Sequence, residues 1–496
     1  MSSFGGTRRD FLRTMGLGTA SLVRSGRESR AARPGRSSAR EEGADVIREE
    51  PRDVPIVHRC DICVIGGGSA GVFAAVRAAR LGAKVALVEN NGFFGGVATA
   101  AKVNVWHSKY DTIGKRQIIG GLTIEVIERL KKRDAVVVYK PNESKYAVFN
   151  TFEMMIELDE LIRGHPSIRP FLHTRFVAAV GHEGRMTHAI IEDKSGRRAI
   201  GAKYVIDATG DGDVIARMGL PFTKNDDLQP PTMCVFIHGL DEVEKQNPGF
   251  ELSQAAYDPK YAKALKRSFL WYSRAVGAPG TRMIAGTRVH GADCSDADEL
   301  TAAEMEGRRQ ARAIRDIVRD NFKGGQHASL VGLSSYIGVR ETRHTTCLHR
   351  LTEKEVLEGV RFPDAVANGS YRVDVHHSNK PGLTFRYLDG TEVYSVPGKQ
   401  PVKRRWREQR AKDPTFYQIP YRSLVPRGSK NVLVTGRLLD ADRGAFGAAR
   451  VMVNGNQTGE AVGTACYLAM DSGVDVADVD TGKLRQTLAK GGSVII

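Results

Sequence analysis

One segment near position 65 constrains the fold of this chain more than any other part of its sequence. An apolar run at 61–65 stops at the glycine-rich loop Gly66-Gly67-Gly68-Ser69-Ala70-Gly71, and a stretch of small residues at 72–81 follows it. A second apolar run at 84–88 then ends in Glu89. This order predicts a strand, a G-x-G-x-x-G turn, a helix, a strand and an acid, which is the pattern of a dinucleotide-binding βαβ unit in an α/β fold.

Each position of this loop has a physical reason. Gly66 permits the tight turn out of the strand, Gly68 lets the backbone approach a pyrophosphate, and Gly71 lets the helix pack closely on its strand. The first N–H groups of the helix would then face the phosphates. Glu89 follows Gly71 by 18 residues, and this spacing predicts hydrogen bonds from ribose hydroxyls to its carboxylate.

The same loop also fits the G-x-S-x-G pattern of a hydrolase, with Ser69 as the nucleophile on a strand-to-helix turn. That interpretation leaves Glu89 without a role and requires an Asp and a His that no local pattern identifies. It remains a remote alternative to dinucleotide binding.

The residues after Glu89 bear on which dinucleotide is bound. A second glycine-rich segment at 90–99 would let the backbone run close to a bulky cofactor, which a simple NAD domain does not need. Two further apolar runs, at 204–207 and 431–435, end in Ala208-Thr209-Gly210-Asp211 and in Gly436-Arg437, and a helix of small residues follows from 455. Glycine supplies 53 of the 496 residues without a G-X-Y period, and 41% of the chain is hydrophobic, which excludes a collagen-like or disordered chain.

These elements, in this order, resemble the glutathione-reductase-type flavoprotein fold and, more closely, the bacterial FAD-dependent oxidoreductase family, whose substrates are mostly unassigned. The resemblance extends from about Cys60 to about Gly473. It is supported by four further segments: Gln229-Pro230-Pro231-Thr232, Thr301-Ala302-Ala303-Glu304 with Gly307-Arg308, Ile337 to Arg343, and Ile419 to Pro426. It implies a Rossmann-like FAD-binding domain with an inserted α+β cap that holds the substrate.

The resemblance implies the positions of the domains. The FAD-binding domain would comprise 56–102, 151–220 and 426–473. The cap would comprise 103–150 and 221–425, and 474–496 would form a C-terminal tail.

The resemblance also implies which residues contact FAD. The first group is Gly66, Gly68, Ser69, Ala70, Gly71, Glu89, Asn90, Gly95, Gly96, Val97, Ala98 and Thr99. The second group is Phe176, Gly210, Asp211, Gly436, Arg437, Gln457, Thr458 and Gly459. In this scheme Gln457, Thr458 and Gly459 form the N terminus of the last helix, whose partial positive charge stabilises the reduced flavin. Residues 438–443 depart from the family's usual sequence, which leaves any contact there open.

The cap supplies the catalytic candidates, which are Arg340, Glu341, His344 and His376. Arginines could hold a carboxylate or phosphate, and a histidine could take a proton as a hydride leaves. We therefore expect an oxidoreductase that moves a hydride between the flavin N5 and a small polar or anionic organic substrate, with an unidentified electron acceptor. The alternatives are reduction of an activated double bond, as fumarate reductases carry out, and a protein whose FAD is structural or serves a redox-neutral reaction.

The N-terminal residues resemble a twin-arginine export signal. Thr7-Arg8-Arg9-Asp10-Phe11-Leu12 precedes a weakly apolar run that is too short to span a bilayer. We expect a signal at 1–23, a disordered linker at 24–55, export through the twin-arginine machinery to the periplasm or medium, and no stable membrane anchor.

Charge and cysteine content suggest no additional partner. The net charge of +16 and the basic run Lys403-Arg404-Arg405-Trp406-Arg407 are best explained by a solvated surface, so no nucleic acid is expected. Six scattered cysteines do not form a disulfide framework, and Cys60-Asp61-Ile62-Cys63 runs into the first strand rather than a redox loop. The histidines show no metal-binding spacing, and no metal is predicted.

Overall fold

The computed structural model describes residues 46–47, 49–139, 146–266 and 268–496. It divides the chain into two units, Met1–Asp53 and Val54–Ile496, and every element named below belongs to the second. The twin-arginine motif and most of the expected linker lie outside the described residues. In the part of the chain that is described, no helix combines the length and the apolar character that a membrane crossing requires.

The second unit mixes strands and helices throughout. Its strands are β1 (Ile56–Ile65), β2 (Val85–Val88), β3 (Val105–His107), β4 (Val136–Val138), β5 (Tyr146–Phe149), β6 (Ile168–Phe171), β7 (Arg175–His182), β8 (Arg185–Asp193), β9 (Gly196–Asp207), β10 (Phe222–Thr223), β11 (Val235–His238), β12 (Trp271–Arg274), β13 (Thr281–Ala285), β14 (Ser329–Leu333), β15 (His344–Thr345), β16 (Ala365–Gly369), β17 (Val373–His376), β18 (Leu383–Arg386), β19 (Thr391–Ser395), β20 (Val402–Arg405), β21 (Tyr417–Pro420) and β22 (Val432–Val434). Its helices are α1 (Ser69–Arg80), α2 (Gly121–Lys131), α3 (Thr151–Arg163), α4 (Asp213–Arg217), α5 (Leu240–Gln246), α6 (Leu252–Ala255), α7 (Ala297–Asn321), α8 (Glu353–Leu357), α9 (Arg443–Ala449), α10 (Met452–Ser472) and α11 (Thr481–Lys490).

The main sheet has the strand order β6-β2-β1-β9-β8-β7, and β22 also pairs with β9. Strands β6, β2, β1, β9 and β22 are parallel, whereas β7 and β8 pair antiparallel with each other and with β9. Strands β2 and β22 and the last residues of β1 are apolar and buried, as expected where both faces of a sheet are covered. Their carboxyl ends meet at one edge, which is where ligands bind in such folds. The α/β fold class expected from the sequence is confirmed.

Two helices of small residues cover one face of this sheet. A Cβ added at Gly459 or Gly463 of α10 would lie 2.2 or 2.3 Å from the carbonyl oxygens of Ala70 and Ala74 in α1. A Cβ at Gly71 would lie 1.9 Å from the carbonyl oxygen of Gly66. The glycines therefore set how closely α1 approaches both α10 and β1.

Smaller antiparallel sheets surround the carboxyl edge of the main sheet. One has the order β12-β13-β11-β14, and α7 shares an apolar core with it. Another has the order β17-β18-β19-β20, and a third has the order β3-β5-β4. The discontinuous domain boundaries expected from the sequence remain a prediction. Within the expected C-terminal tail, the structure contains the helix α11.

Candidate functional site

A large cavity of about 920 Å³ lies at the carboxyl edge of the main sheet. It is lined at one end by the glycine loop and Glu89, and at the other by side chains of the surrounding sheets, including Arg340 and His376. A cavity of this size is in the range that holds a large organic cofactor or ligand.

The glycine loop presents bare backbone to the cavity. Gly66 has a φ of 105°, and a Cβ there would lie 2.3 Å from the carbonyl oxygen of Ala208. Gly68 precedes α1, and no described side chain caps the N terminus of this helix. The first N–H groups of α1 are therefore available to an anion such as a pyrophosphate.

The second glycine segment packs against the first. Gly95 and Gly96 have φ values of 111° and 51°, which favour glycine. Gly95 donates its N–H to the carbonyl oxygen of Gly67 at 2.8 Å, and a Cβ at Gly96 would lie 3.0 Å from the Cα of Gly68. The two loops thus form one continuous wall of backbone beside the cavity.

Glu89 lies on the cavity wall with 6% of its surface exposed. Its carboxylate accepts hydrogen bonds of 2.7 Å from the backbone N–H of Gly67 and from the backbone N–H and side-chain amide of Asn91. Burial raises the pKa of this carboxyl, and the hydrogen bonds oppose that change. The loop and the acid are therefore locked together at the position where a ribose was expected.

Thirteen of the residues expected to contact FAD line the cavity. They are Gly66, Gly68, Ser69, Ala70, Glu89, Asn90, Gly96, Val97, Phe176, Gly210, Asp211, Gly436 and Arg437. The other seven, which lie behind its wall, are Gly71, Gly95, Ala98, Thr99, Gln457, Thr458 and Gly459. Among these, Thr99 donates to the carbonyl oxygen of Phe94 and so supports the loop from behind.

The helix that was expected to begin near Gln457 begins earlier. Helix α10 starts at Met452, so Gln457, Thr458 and Gly459 lie in its second turn rather than at its N terminus. The side-chain amide of Gln457 donates to the carbonyl oxygen of Asn368 at 2.8 Å, and α11 follows as a further helix. The helix end that faces the cavity consists instead of Val451, Met452 and Gly455. The small-residue pattern did not mark this start because Val451 and Met452 carry no capping signal.

A partly buried ion pair lies on the cavity wall. Arg437 contacts the carboxylate of Asp211 at 3.0 Å, and Asp211 also accepts a hydrogen bond of 2.9 Å from the Thr342 hydroxyl. The Nη1 atom of Arg437 is buried without a hydrogen-bond partner. This free donor, the uncapped helix and the glycine wall together fit the phosphates and the rings of FAD.

Two of the four catalytic candidates reach the cavity, namely Arg340 and His376. Glu341 and His344 are not on its wall, and this corrects the role assigned to them. Their side chains are almost fully buried and form an ion pair of 2.9 Å between Oε1 and Nε2, while the second carboxylate oxygen of Glu341 accepts the N–H of Gln229. The pair joins two segments of the surrounding structure, so we interpret it as structural.

The polar end of the cavity also contains residues that the sequence reasoning missed, above all Asp374. One Asp374 oxygen accepts the Tyr371 hydroxyl at 2.9 Å, and the other lies 3.4 Å from Nε2 of His376. Asp374 and His376 are two apart on β17, so both point to one face of that strand. The alternation of apolar and polar residues in Val373-Asp374-Val375-His376 could have identified Asp374 and His376 as neighbours on one face of a strand.

The electrostatics of this end keep His376 neutral. Burial lowers its pKa well below the usual value, and the charges of Arg340, Arg288 and Arg450 lower it further. The ring is 5% exposed and its Nδ1 atom has no hydrogen-bond partner. A neutral imidazole in this position can accept a proton from a bound molecule.

The remaining motifs show no separate site in the described residues. All six cysteines are free and buried, and Cys60 contacts the carbonyl oxygen of Gly201. No described histidine or carboxylate hydrogen-bonds the hydroxyl of Ser69, and no described cluster of His, Cys, Asp or Glu could hold a metal ion. In the basic run, Arg404 pairs with Glu392 and Arg407 with Asp413.

Several known proteins are similar to parts of this chain. A segment is 32% identical over 107 residues to the mitochondrial dihydrolipoyl dehydrogenase of Schizosaccharomyces pombe, and the match spans 18% of this chain and 21% of that protein. Among solved structures, p-nitrophenol 4-monooxygenase from Pseudomonas putida has a TM-score of 0.43 and 11% identity, covering 88% of this chain and 84% of its own. L-proline dehydrogenase from P. horikoshii has a TM-score of 0.41 and 10% identity, covering 88% and 99%.

The model of one protein family matches residues 61–488, which is most of the chain. That family is described as FAD dependent oxidoreductase. Its match includes the glycine loop, Glu89 and the cavity described above, which fit the same cofactor. The chain therefore belongs to the FAD dependent oxidoreductase family.

Proposed function

We propose that this enzyme moves a hydride between the flavin N5 and a small polar or anionic organic substrate. The observation that carries the proposal is the continuity of the cavity, which joins the glycine loop and Glu89 to Arg340 and His376 without a break. Bound FAD supplies a two-electron acceptor that the protein side chains lack. The polar end of the cavity provides a proton acceptor, His376, and the positive charge of Arg340.

At the polar end of the cavity, His376, Asp374 and Arg340 have different roles in the oxidation of a hydroxyl or amino compound. His376 would accept the proton of the substrate's hydroxyl or amino group, and a bound FAD would supply the acceptor for the hydride of the neighbouring carbon, so that a C=O or C=N bond would form. Asp374 lies 3.4 Å from the ring and stabilises the imidazolium that results. Arg340 orients the substrate. An external acceptor, such as dioxygen, a quinone or a small redox protein, would take up the two electrons and complete the reaction.

The reverse direction, reduction of an activated double bond, is the second candidate. It is favoured by the positive charge of Arg340 near the cavity wall, because an arginine stabilises the negative charge that builds up on a carbonyl oxygen conjugated to such a bond. In that case His376 would have to be protonated before it could donate, and its lowered pKa opposes this.

The visible spectrum of the purified protein tests the function. Anaerobic addition of pooled metabolites should bleach the flavin absorption, and an added acceptor should restore it. A flavin that no donor bleaches, and that after chemical reduction no acceptor reoxidises, would contradict redox turnover and favour a structural FAD.

We also propose that the protein is exported through the twin-arginine machinery, on the evidence of Arg8 and Arg9 in their sequence context. Replacement of both by Lys should leave the protein in the cytoplasm with its FAD bound. The matched control replaces Arg27 and Arg30 by Lys and should be exported as the parent is. Processed protein outside the cytoplasm in the first variant would refute the proposal.

A further inference from the structure

Three arginines, Arg288, Arg340 and Arg450, lie close together near the polar end of the cavity and are called the arginine cluster here. Arg340 and Arg450 line the cavity, whereas Arg288 is buried beside Arg340. They come from three separate segments: after β13, before β15, and between α9 and α10. Arg288 and Arg340 both direct Nη1 to the hydroxyl of Thr232, at 2.9 and 2.5 Å. Arg450 lies 3.8 Å from Asp374. Two guanidinium groups that share one hydroxyl are unusually close for like charges.

The cluster lacks the negative charge that would balance it. Asp374 pairs with Arg450, but within the described residues neither Arg288 nor Arg340 has a carboxylate oxygen at ion-pair distance. Three guanidinium groups against one carboxylate leave two positive charges in excess. Burial, followed by the charges of Arg288 and Arg450, lowers the pKa of Arg340. Buried charge without a counterion is costly, so the cluster is suited to an anion from outside the chain.

Several hydrogen-bond donors of this region are also unused. Nε and Nη2 of Arg288, Nε of Arg450 and the side-chain nitrogen of Gln229 are buried without partners. Arg288 is 3% exposed and Gln229 is fully buried. Buried donors in folded proteins nearly always have an acceptor. Of these residues, Arg450 lines the cavity, so a ligand with acceptor oxygens can reach it there, next to Arg340.

We propose that the arginine cluster binds the carboxylate of the substrate, which makes the substrate a small carboxylic acid with a hydroxyl or amino group close to its carboxylate. The inference rests on the proposed function. The same side chain, Asp374, lies 3.4 Å from the His376 ring and 3.8 Å from Arg450, so a carboxylate at the cluster places the neighbouring group beside His376.

A carboxylate suits the cluster better than a phosphate ester does. Both groups accept paired hydrogen bonds from a guanidinium fork. A phosphate monoester, however, carries about −1.5 to −2 charges near neutral pH, whereas a carboxylate carries one. Asp374 is already negative at this position and has an unpartnered Oδ1 atom, so it repels a dianion more strongly than a monoanion.

Calorimetric titration of the FAD-loaded protein tests this inference with three probes: propionate, its neutral isostere propionamide, and inorganic phosphate. Propionate should bind at one site per FAD, and propionamide and phosphate should each bind at least tenfold more weakly. Equal binding of propionate and propionamide would overturn the inference, as would tighter binding of phosphate than of propionate.

Two variants locate the binding. Arg340→Gln and Arg450→Gln should each weaken propionate at least tenfold while the protein retains its FAD. The matched control is Arg163→Gln on the exposed surface of α3, where the arginine pairs with Glu160, and it should bind propionate as the parent does. Unchanged propionate binding in both cluster variants would overturn the inference, and so would loss of FAD in both.

A stability measurement separates a ligand site from a structural one. Because Arg340 has no carboxylate at ion-pair distance within the described residues and adds to the excess positive charge, Arg340→Met should keep or raise the thermal midpoint in the absence of carboxylate and should lose the increase that propionate gives the parent. A lower midpoint with propionate stabilisation retained would contradict the inference. Bleaching of the flavin only by neutral donors, together with no carboxylate binding, would overturn this inference and leave the proposed function intact.

Discussion

The sharpest test of the cofactor site is the replacement of Gly68 by Val. Gly68 has a φ of −59° and a ψ of 171°, which any residue can adopt without strain. A Cβ at this position would meet no heavy atom nearer than the Cα of Gly96, at 4.0 Å. The added side chain therefore finds open space, and that space is the cavity that Gly68 lines.

The effect on folding should be small and the effect on FAD large. Removing a glycine at a compatible position stabilises the folded chain by about 0.4–1 kcal/mol, whereas a residue such as Val is a poorer helix N-cap than Gly by about 0.5–1.5 kcal/mol. The two effects offset, so the unfolding free energy should change by less than about 1 kcal/mol. The same atoms exclude a pyrophosphate from the backbone, and FAD binding should weaken at least about 100-fold, or roughly 2.7 kcal/mol.

Gly71→Ala is the contrasting variant, because it adds fewer atoms than Gly68→Val but adds them where the backbone leaves no room. Its Cβ would lie 1.9 Å from the carbonyl oxygen of Gly66 and 3.1 Å from Cβ of Ala208. Helix α1 must shift to accept it, and such overpacking costs about 1–3 kcal/mol of stability.

Urea unfolding of the apoproteins, followed by titration with FAD, distinguishes the two cases. Gly68→Val should unfold near the parent midpoint yet stay colourless, and Gly71→Ala should unfold earlier. The reasoning would be refuted if Gly68→Val retained one FAD per chain, or if it lost as much stability as Gly71→Ala.

Three further predictions follow from buried ionisable groups. His344→Ala should lower the unfolding free energy by about 3 kcal/mol, because it leaves Glu341 buried without its partner, yet it should bind propionate as the parent does; lost binding at unchanged stability would contradict a structural role. His290, whose pKa burial lowers to about 4, takes up a proton more readily when unfolded, so stability should fall as the pH drops from 6.5 to about 4. Urea midpoints of His290→Gln should fall less steeply over that window, and identical slopes would refute the assignment. Glu89→Gln should weaken FAD about 10- to 100-fold, since a carboxylate accepts stronger hydrogen bonds than an amide, and fluorescence titration that shows parent affinity would exclude a role for this acid in binding.

Much of the cofactor end could be predicted because its chemistry depends on neighbours in sequence. The loop at 66–71, the two strands around it and Glu89 form one local unit. Gly71 makes room for the nearby carbonyl oxygen of Gly66, whereas the close contact of Gly66 is with Ala208, which only the fold brings to it. Short-range rules also predicted strand β9 up to Asp207 and strand β22 before Gly436. The start of α10 could not be placed in this way, because no described side chain caps the helix. Its small residues are explained by close packing against α1, which lies nearly 400 positions earlier in the chain.

The substrate end was decided by the tertiary structure. Arg288, Arg340 and Arg450 are far apart in sequence, and only the folded sheets bring two of them to one hydroxyl of Thr232 and the third to Asp374. Glu341 is not among the residues that line the cavity, and its carboxylate is held by His344 and by the N–H of Gln229.

The sequence by itself thus determined the fold class, the cofactor and the family, because each depends on a local pattern of glycines, apolar runs and one acid. Only the tertiary structure decided which polar groups meet at the far end of the cavity and how their charges add. The physical reason is that a βαβ turn is encoded by residues close together in the chain, whereas the balance of buried charge depends on segments that meet only after folding.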